Sequence, residues 1–567
     1  MKKKKMVPNK LAPVVYRALE DIVGEEWISQ DRAIVETYSK FSLDADGFLK
    51  KHEKDPSNIP ACVVLPGSTD DVQSIVRVAH RYRIPFVPFA NGQAWSGPTS
   101  SNPTICVHMS RMNKVLTIDE KNMTATLQAY ADYGQLIADA VKVGLWNGGT
   151  PLATTLCKLS SQSAFAGIWQ TSIKYGLIGR NIVSFTVVLP SGEILRTGSG
   201  AMAGAETFWA DGPGPDFLAL MRASGGTNGI ITEITVKLHN WVGGVDFPEP
   251  PAGRPSIPHY AEPKYDSAPP PDKHRLYWIE FPDLDAEIKT YREIAHAGIG
   301  IGINASGVYS AYYCSQTQEM TEARVREKFF PSFNLYIITA AITSDRQLDY
   351  EDHLLREIVK ENGGTFLSKD YKSDVLHVLA PWNLDCIRNV CGYRMNRRMY
   401  ATAVLPAGAP EVVKFHSTIW REALETYGET HITDRGGAND TPFFYGIDPG
   451  GRFTISETDC YPDPVDPDSL HKAHTISLAC AVRNAAERKA APFVFGGPSE
   501  PLTSFFPEQG PNVHLLLRKF RKVFDPRGIS SPGRQVFTEE EYKAFPEQKR
   551  EGLNKLRQLY GLSPVKR

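Results

Sequence analysis

A short run near the start of this chain could hold a phosphate without any charged side chain. In PFVPFANGQAWSG, residues 85–97, an apolar stretch passes into a turn built from Ala90, Asn91, Gly92 and Gln93 and closes on Ser96 and Gly97. Backbone N–H groups of such a tight turn converge into a concave nest that holds phosphate oxygens; an ordinary surface turn has a similar composition. The second half of the chain offers other chemistry, because Arg388, Arg394, Arg397, Arg398, His431, Asp434, Arg435 and Tyr445 gather polar side chains there. The run YRMNRR, residues 393–398, reads either as a solvated strand edge or as an anion clamp whose guanidinium forks hold a carboxylate. His431 and Tyr445 flank a glycine-containing turn, the composition of a loop that bears a general base and also of any surface loop. Trp95, Trp146 and Trp169 could wall an aromatic pocket, with core packing the alternative for Trp146 and Trp169. The eight cysteines are scattered without a CxxC pair, and histidines and carboxylates show no clustered ligand spacing, so no metal is expected.

These residues need a scaffold, and hydrophobic periodicity supplies one. From residue 61 the chain reads as a buried-type strand, a Pro-Gly turn, a helix capped by Ser68 or Thr69, and a second strand over residues 85–89: a βαβ-like unit. Two β-rich stretches joined by an Asp-Glu-Lys-Asn turn precede a helix over about residues 132–143. Residues 182–196 carry a hairpin signal around Pro190-Ser191-Gly192, and residues 230–238 alternate as a strand does. Residues 245–273 are too rich in proline for helix or central strand and read as a linker. Beyond them strands and helices alternate again, with a strand at residues 334–343 and a helix at residues 350–362, and a short basic helix from residue 513 closes the pattern.

Composition narrows the class of partner. At 567 residues the chain is long enough for two to four domains of about 100–200 residues, and two large ones are expected. With 42% hydrophobic and 22% charged residues it can bury a sizeable core. Sixty-three basic against sixty-four acidic residues leave a formal charge of -1, which gives no overall field for nucleic acid or anionic lipid and favours a small-molecule partner. The opening MKKKKM is followed by VPNK where a secretory signal would place its apolar region, and no apolar run approaches the 18 or so residues of a membrane helix. A cytoplasmic location is expected.

Four segments in this order resemble the vanillyl-alcohol oxidase / p-cresol methylhydroxylase superfamily of FAD-linked, PCMH-type flavoproteins. Residues 85–97 resemble its pyrophosphate loop, and TSIKYGLIGRNIVSFTVVLPSGEILRTG (171–198) resembles the stretch that runs beside the flavin. ASGGTNGIITEITVKL (223–238) resembles the signature that passes the adenine and ribose, and FDPRGISSPGR (524–534) resembles the C-terminal segment that folds back onto the flavin domain. Specific motifs cover about residues 61–238 and 513–537, with the part between matched by position and length. The resemblance implies an α+β protein with a PCMH-type FAD-binding domain of two α/β subdomains at 56–245 and an α+β cap domain at 273–495 lying over the flavin. A helical segment at 1–55, a proline-rich linker at 246–272 and a returning segment at 496–567 complete this division. It implies FAD contacts at Pro88, Phe89, Ala90, Asn91, Gly92, Gln93, Ala94, Trp95, Ser96, Thr150, Ser160, Ser161, Tyr175, Gly176, Gly226, Gly229, Ile230, Ile231 and Arg534. Catalytic or substrate-binding roles fall to Trp95, Arg398, His431 and Tyr445.

The chain also departs from the family's pattern. Where many members tether FAD through a histidine, Gln93 aligns, and glutamine cannot form that bond; non-covalent FAD is expected, with Tyr393, Tyr400, His416 and His431 as fallback attachment sites. Trp95 aligns with the tyrosine of the phenol-oxidising branch, Thr154 or Thr155 with its aspartate, and Phe493-Val494-Phe495 with its Tyr-Arg pair, which puts a para-hydroxybenzyl substrate in doubt. The expected function is oxidation of a small alcohol, phenolic or other aromatic compound by hydride transfer to flavin N5, the redox chemistry being the cofactor's. A hydroxy-acid dehydrogenase with a cap arginine clamp, or a non-redox flavoprotein, are the alternatives. Oxygen, a quinone or a protein could accept the electrons, and the resemblance implies a homo-oligomer.

Overall fold

A computed structural model describes residues 10–38, 59–90, 103–149, 158–164, 167–222, 224–243, 273–305, 307–308, 318–328, 330–367, 402–463, 466–487, 491–492, 512–532, 547–559 and 563. Four strands open the chain: β1 (Ile28–Ser29), β2 (Cys62–Val64), β3 (Phe86–Phe89) and β4 (Ile105–His108). They form a sheet in the order β1-β2-β4-β3, with β2, β4 and β3 parallel. The two strands read from the sequence as a βαβ-like unit, β2 and β3, are separated in the sheet by β4, because a parallel neighbour can be contributed from any distance along the chain. Helices α1 (Pro13–Val23) and α3 (Thr69–Tyr82) cover one face and α2 (Arg32–Thr37) the other. Ser68 starts α3 by accepting the Asp71 N–H at 3.1 Å, and Val72, Ile75, Val76 and Ala79 turn one buried stripe to the sheet.

A second sheet is antiparallel. Strands β5 (Val115–Asp119), β6 (Thr124–Gln128), β8 (Ile182–Val188), β9 (Ile194–Arg196) and β10 (Ile230–Lys237) lie in the order β5-β6-β10-β8-β9, while β7 (Leu145–Trp146) pairs with β11 (His239–Asn240). All seven residues of β8 are buried, which explains its uninterrupted apolar spelling. The β8–β9 hairpin turns at Gly192, whose φ of 87° suits glycine. Three short helices pack nearby: α4 (Tyr133–Ala140), α5 (Leu159–Ala164) and α6 (Ser172–Tyr175).

The rest of the chain builds one nine-stranded sheet from β12 (His274–Glu280), β13 (Gly302–Ala305), β14 (Asn334–Ala340), β15 (Thr365–Phe366), β16 (Thr402–Val404), β17 (Pro406–Gly408), β18 (Phe443–Gly446), β19 (Thr454–Cys460) and β20 (Ala491–Pro492). Its helices are α7 (Leu284–His296), α8 (Asp345–Glu361), α9 (Val412–Tyr427) and α10 (Pro467–Ala486). Helix α8 begins at Asp345, ahead of the expected residue 350, because Leu348 belongs to the same buried stripe as Leu355 and Val359. Strand alternation sorts the sheet's two faces. Ile279, Ile303, Leu335 and Ile337 meet the helices. Ile338 and Ala340 meet Ile137, Val141 and Trp146, and Phe443 and Ile455 meet Ile168 and Leu177, so the opposite face closes on the first half of the chain.

After α11 (Val513–Phe524) the chain returns to the first sheet. The Phe86 N–H donates to the Ile529 carbonyl at 2.8 Å and the Ser531 N–H to the Phe86 carbonyl at 2.9 Å, so residues 529–531 run beside β3. Among the described residues no helix is long and apolar enough to cross a membrane.

Candidate functional site

Four segments meet at the end of β3. Pro88, Phe89 and Ala90 leave that strand, Met109 follows β4, Ser160 and Ser161 come from α5, and Gly225, Gly226, Gly229 and Ile231 come from the turn that enters β10; together they line a cleft with about 470 Å³ of empty space open to solvent. Each wall is fixed by backbone. The Leu159 and Ser160 N–H groups donate to the Ala131 and Ala129 carbonyls at 3.0 and 3.1 Å. The glycine turn closes through the Thr227 N–H to the Ser224 carbonyl at 3.1 Å and the Thr227 hydroxyl to the same oxygen at 2.7 Å. Ser530 Oγ donates to the Gly226 carbonyl from behind at 2.8 Å.

Glycine is required at two of these positions. Gly226 has a φ of 81°, and a Cβ there would lie 2.8 Å from Pro88 Cγ and 3.0 Å from Ser531 Oγ. Gly229 has a φ of 124°, and a Cβ would lie 2.3 Å from the Val188 carbonyl oxygen, where β10 enters the sheet beside β8. Among the described residues no charged side chain lines the cleft; glycine backbone, serine hydroxyls, Phe89, Met109 and Ile231 do. This composition fits a ligand whose phosphates are held by N–H and hydroxyl donors and whose flat apolar part lies on hydrocarbon.

An aromatic clamp backs the cleft. Phe89 meets Tyr38 edge-on at 5.0 Å and His108 at 5.4 Å, and the Tyr38 hydroxyl lies 2.9 Å from His108 Nδ1. Burial pushes His108 down to about 4 and Tyr38 up to about 12, so the pair is neutral at neutral pH. Lys158 stands 4.8 Å over the Tyr130 ring and 3.1 Å from Asp132, tying the start of α5 to α4.

Of the residues expected to contact the cofactor, Pro88, Phe89, Ala90, Ser160, Ser161, Gly226, Gly229 and Ile231 come together in this cleft. Tyr175, Gly176 and Ile230 do not line it. Tyr175 packs against Trp146 and His239 at 5.6 and 4.5 Å, Gly176 ends α6 at a φ of 76°, and Ile230 sits in the core of the first sheet. Asn91, Gly92, Gln93, Ala94, Trp95, Ser96, Thr150, Arg398 and Arg534 lie outside the described residues, as do Arg388, Arg394, Arg397, Thr154, Thr155, residues 493–495 and the proline-rich linker. Trp146 and Trp169 are core residues, the latter donating Nε1–H to the Gly176 carbonyl at 2.7 Å. His431 is held in a helix cap: Nδ1 is 2.6 Å from Thr433 Oγ1 and Nε2 is 3.1 Å from Glu322. Tyr445 is on β18, its backbone opposite Asn304 of β13.

Met109 and Gly225 were missed by sequence reasoning. Gly225 sat inside the glycine motif, but Met109 joins the cleft only because β4 lies beside β3. Also unforeseen is a polar group on the inward face of the nine-stranded sheet: buried Asn304, Glu457 and Asp459, with the Tyr461 hydroxyl donating to Asp459 at 2.8 Å.

Residues 60–198 match a family model described as an FAD binding domain, so the chain carries that domain. Among curated proteins it is 31% identical over 238 residues to the alkyldihydroxyacetonephosphate synthase of Dictyostelium discoideum, covering 41% of this chain and 37% of that protein. It is 31% identical over 215 residues to a mitochondrial D-lactate dehydrogenase [cytochrome] of Saccharomyces cerevisiae, covering 36% of this chain and 35% of that one. The matched segment thus spans little more than a third of each relative. Over the whole fold, p-cresol methylhydroxylase with substrate bound superposes with a TM-score of 0.73 at 15% identity, covering 94% of this chain and 98% of that structure. The fold is therefore of the PCMH type.

Proposed function

We propose that this protein is an FAD-dependent oxidoreductase that oxidises a small organic molecule, an alcohol, phenolic or other aromatic compound, with FAD held non-covalently. The cleft carries this reading: segments far apart in sequence converge there into a wall of glycine backbone and hydroxyls, uncharged among the described residues, next to a domain match for FAD. Bound FAD would supply a ring that accepts a hydride from a carbon–hydrogen bond. The chain's own share is to hold and orient. Backbone of the 225–229 turn and the hydroxyls of Ser160 and Ser161 would bind the phosphates and ribose, and Phe89, Met109 and Ile231 would cover the flat base. The inward face of the nine-stranded sheet would exclude water and seat the substrate, with Glu457, Asp459 and Tyr461 available to move a proton. Gln93 supports non-covalent attachment, since glutamine offers no nucleophile for a flavin bond.

The test is an absorption spectrum of the purified protein before and after acid precipitation. Flavin bands that pass wholly to the supernatant are expected; colour in the pellet would refute non-covalent attachment, and no colour in either fraction, even after incubation with FAD, would refute the cofactor. A second reading, oxidation of a hydroxy acid, draws on the D-lactate dehydrogenase relative. Anaerobic bleaching by D-lactate but not by p-cresol or benzyl alcohol would favour it. Product formation at constant flavin redox state would instead favour a non-redox flavoprotein, the reading suggested by the synthase relative.

A further inference from the structure

Two buried primary amides in the seam between the first half of the chain and the nine-stranded sheet use none of their side-chain hydrogen-bonding atoms within the protein. Gln170 is 1% exposed on the loop ahead of α6, and Asn304 is 5% exposed on β13. Nε2 and Oε1 of Gln170, and Nδ2 and Oδ1 of Asn304, are all buried without a partner. Buried amides are rarely left so, because each unmet donor and acceptor costs stability. Loose packing of the loop is not the reason. Its neighbours are bonded: the Thr171 hydroxyl donates to the Gly148 carbonyl at 2.5 Å, and the Trp169 N–H donates to Ser172 Oγ at 3.0 Å.

The two amides share one seam. A Cβ at Gly302 would lie 3.1 Å from the Gln170 carbonyl oxygen, so the loop presses on β13 where that strand has no side chain. Asn304 is two residues further along the same strand, hence on the same face and one pleat, about 7 Å, away. Its neighbour on β14 is Tyr336, stacked on Trp278 at 5.4 Å.

We propose that Gln170 and Asn304 read an uncharged polar head group of the substrate, a hydroxyl or an amide, and discriminate against its carboxylate counterpart. A neutral group with a donor and an acceptor can use both halves of each amide. An anion could use only the two NH₂ groups, leaving the carbonyl oxygens facing negative charge. The inference rests on the oxidoreductase reading above and makes it specific.

The test uses full-length, FAD-loaded protein and titrates benzyl alcohol, benzamide and benzoate against the flavin absorption spectrum, for the wild type, Gln170→Leu and Asn304→Leu. Benzamide and benzoate have the same shape and differ in charge. The wild type is expected to bind benzamide at least about tenfold more tightly than benzoate, and each variant to lose about tenfold in benzamide affinity with benzoate little changed. Because the amides are unpartnered without ligand, each variant should also melt no lower than the wild type when flavin-free, whereas amides that merely hold the fold would lower the melting temperature. Equal or reversed affinities in the wild type, no spectral response to either neutral probe, unchanged benzamide binding in both variants, or loss of flavin from both variants would overturn the proposal. Wild-type protein that takes up no flavin would count against the oxidoreductase reading itself.

Discussion

At the scale of single residues, the cleft depends on atoms that are absent. Gly226→Ala adds a methyl 2.8 Å from a proline ring at a left-handed φ, so the turn must shift where it lines the cleft. A loss of FAD affinity of tenfold or more, measured by flavin fluorescence on reconstitution, is expected; unchanged affinity would remove the turn from the cofactor site. A different constraint sits on the helix side of the large sheet. Glu287 is buried on α7 and accepts the Thr441 hydroxyl at 2.5 Å, while Asp440 next to it accepts the Gly437 and Val308 N–H groups at 2.6 Å each. Burial, reinforced by Asp440, raises Glu287 well above the carboxylate range, and burial raises Asp440 to about 7 despite its N–H donors. The folded protein therefore keeps protons that the unfolded chain releases above about pH 4, and this pair weakens the fold as pH rises from there through 7. Glu287→Gln keeps the threonine contact without the charge. Its melting temperature relative to the wild type should be about 2 °C or more higher at pH 8 than at pH 4; an equal difference at both would refute this. The glycines were legible in sequence because their turn precedes an alternating strand. Glu287 was not, since a charged residue in a helix reads as solvated until its neighbours are known.

At the scale of elements, β3 is completed by a partner from the far end of the chain. Ser530 links residues 529–531 to the glycine turn through one hydroxyl bond to Gly226. Its loss in Ser530→Ala should weaken that wall by about 1 kcal/mol, seen as roughly fivefold faster FAD release in stopped-flow dilution. The flanking pieces hold themselves in place: Asp525 accepts the Ser530 N–H at 2.7 Å and Arg521 donates to the Ser530 carbonyl at 3.2 Å. Helix α3, the β8–β9 hairpin and the alternation of β10 were readable from periodicity, because each is decided by local pattern and one turn. The insertion of β4 between β2 and β3, and with it the place of Met109, was not readable, because strand order is set by pairing across the sheet.

At the scale of the whole molecule, the cleft half and the large sheet share a core. Trp146 is 2% exposed and joins Ile137 and Val141 of the first half to Ile301, Ile338 and Ala340 of the second. Trp146→Ala should cost about 3–5 kcal/mol in urea unfolding, with flavin release and loss of the sheet's far-ultraviolet signal moving to lower urea together. If only one signal moved, the two halves would be energetically separate. This seam was the least legible part of the chain. Trp146 read as either a pocket wall or a core residue, and only the packed fold reveals that it bridges two cores.

The bond from Ser530 to Gly226 spans 304 residues of sequence. During synthesis the glycine turn therefore leaves the ribosome long before the serine that braces it. That brace is missing from a growing chain until residue 530 has been made, so the tightest hold on flavin is expected late in synthesis. A nascent chain stalled before residue 530 would fold much of its first sheet and still hold the cofactor poorly.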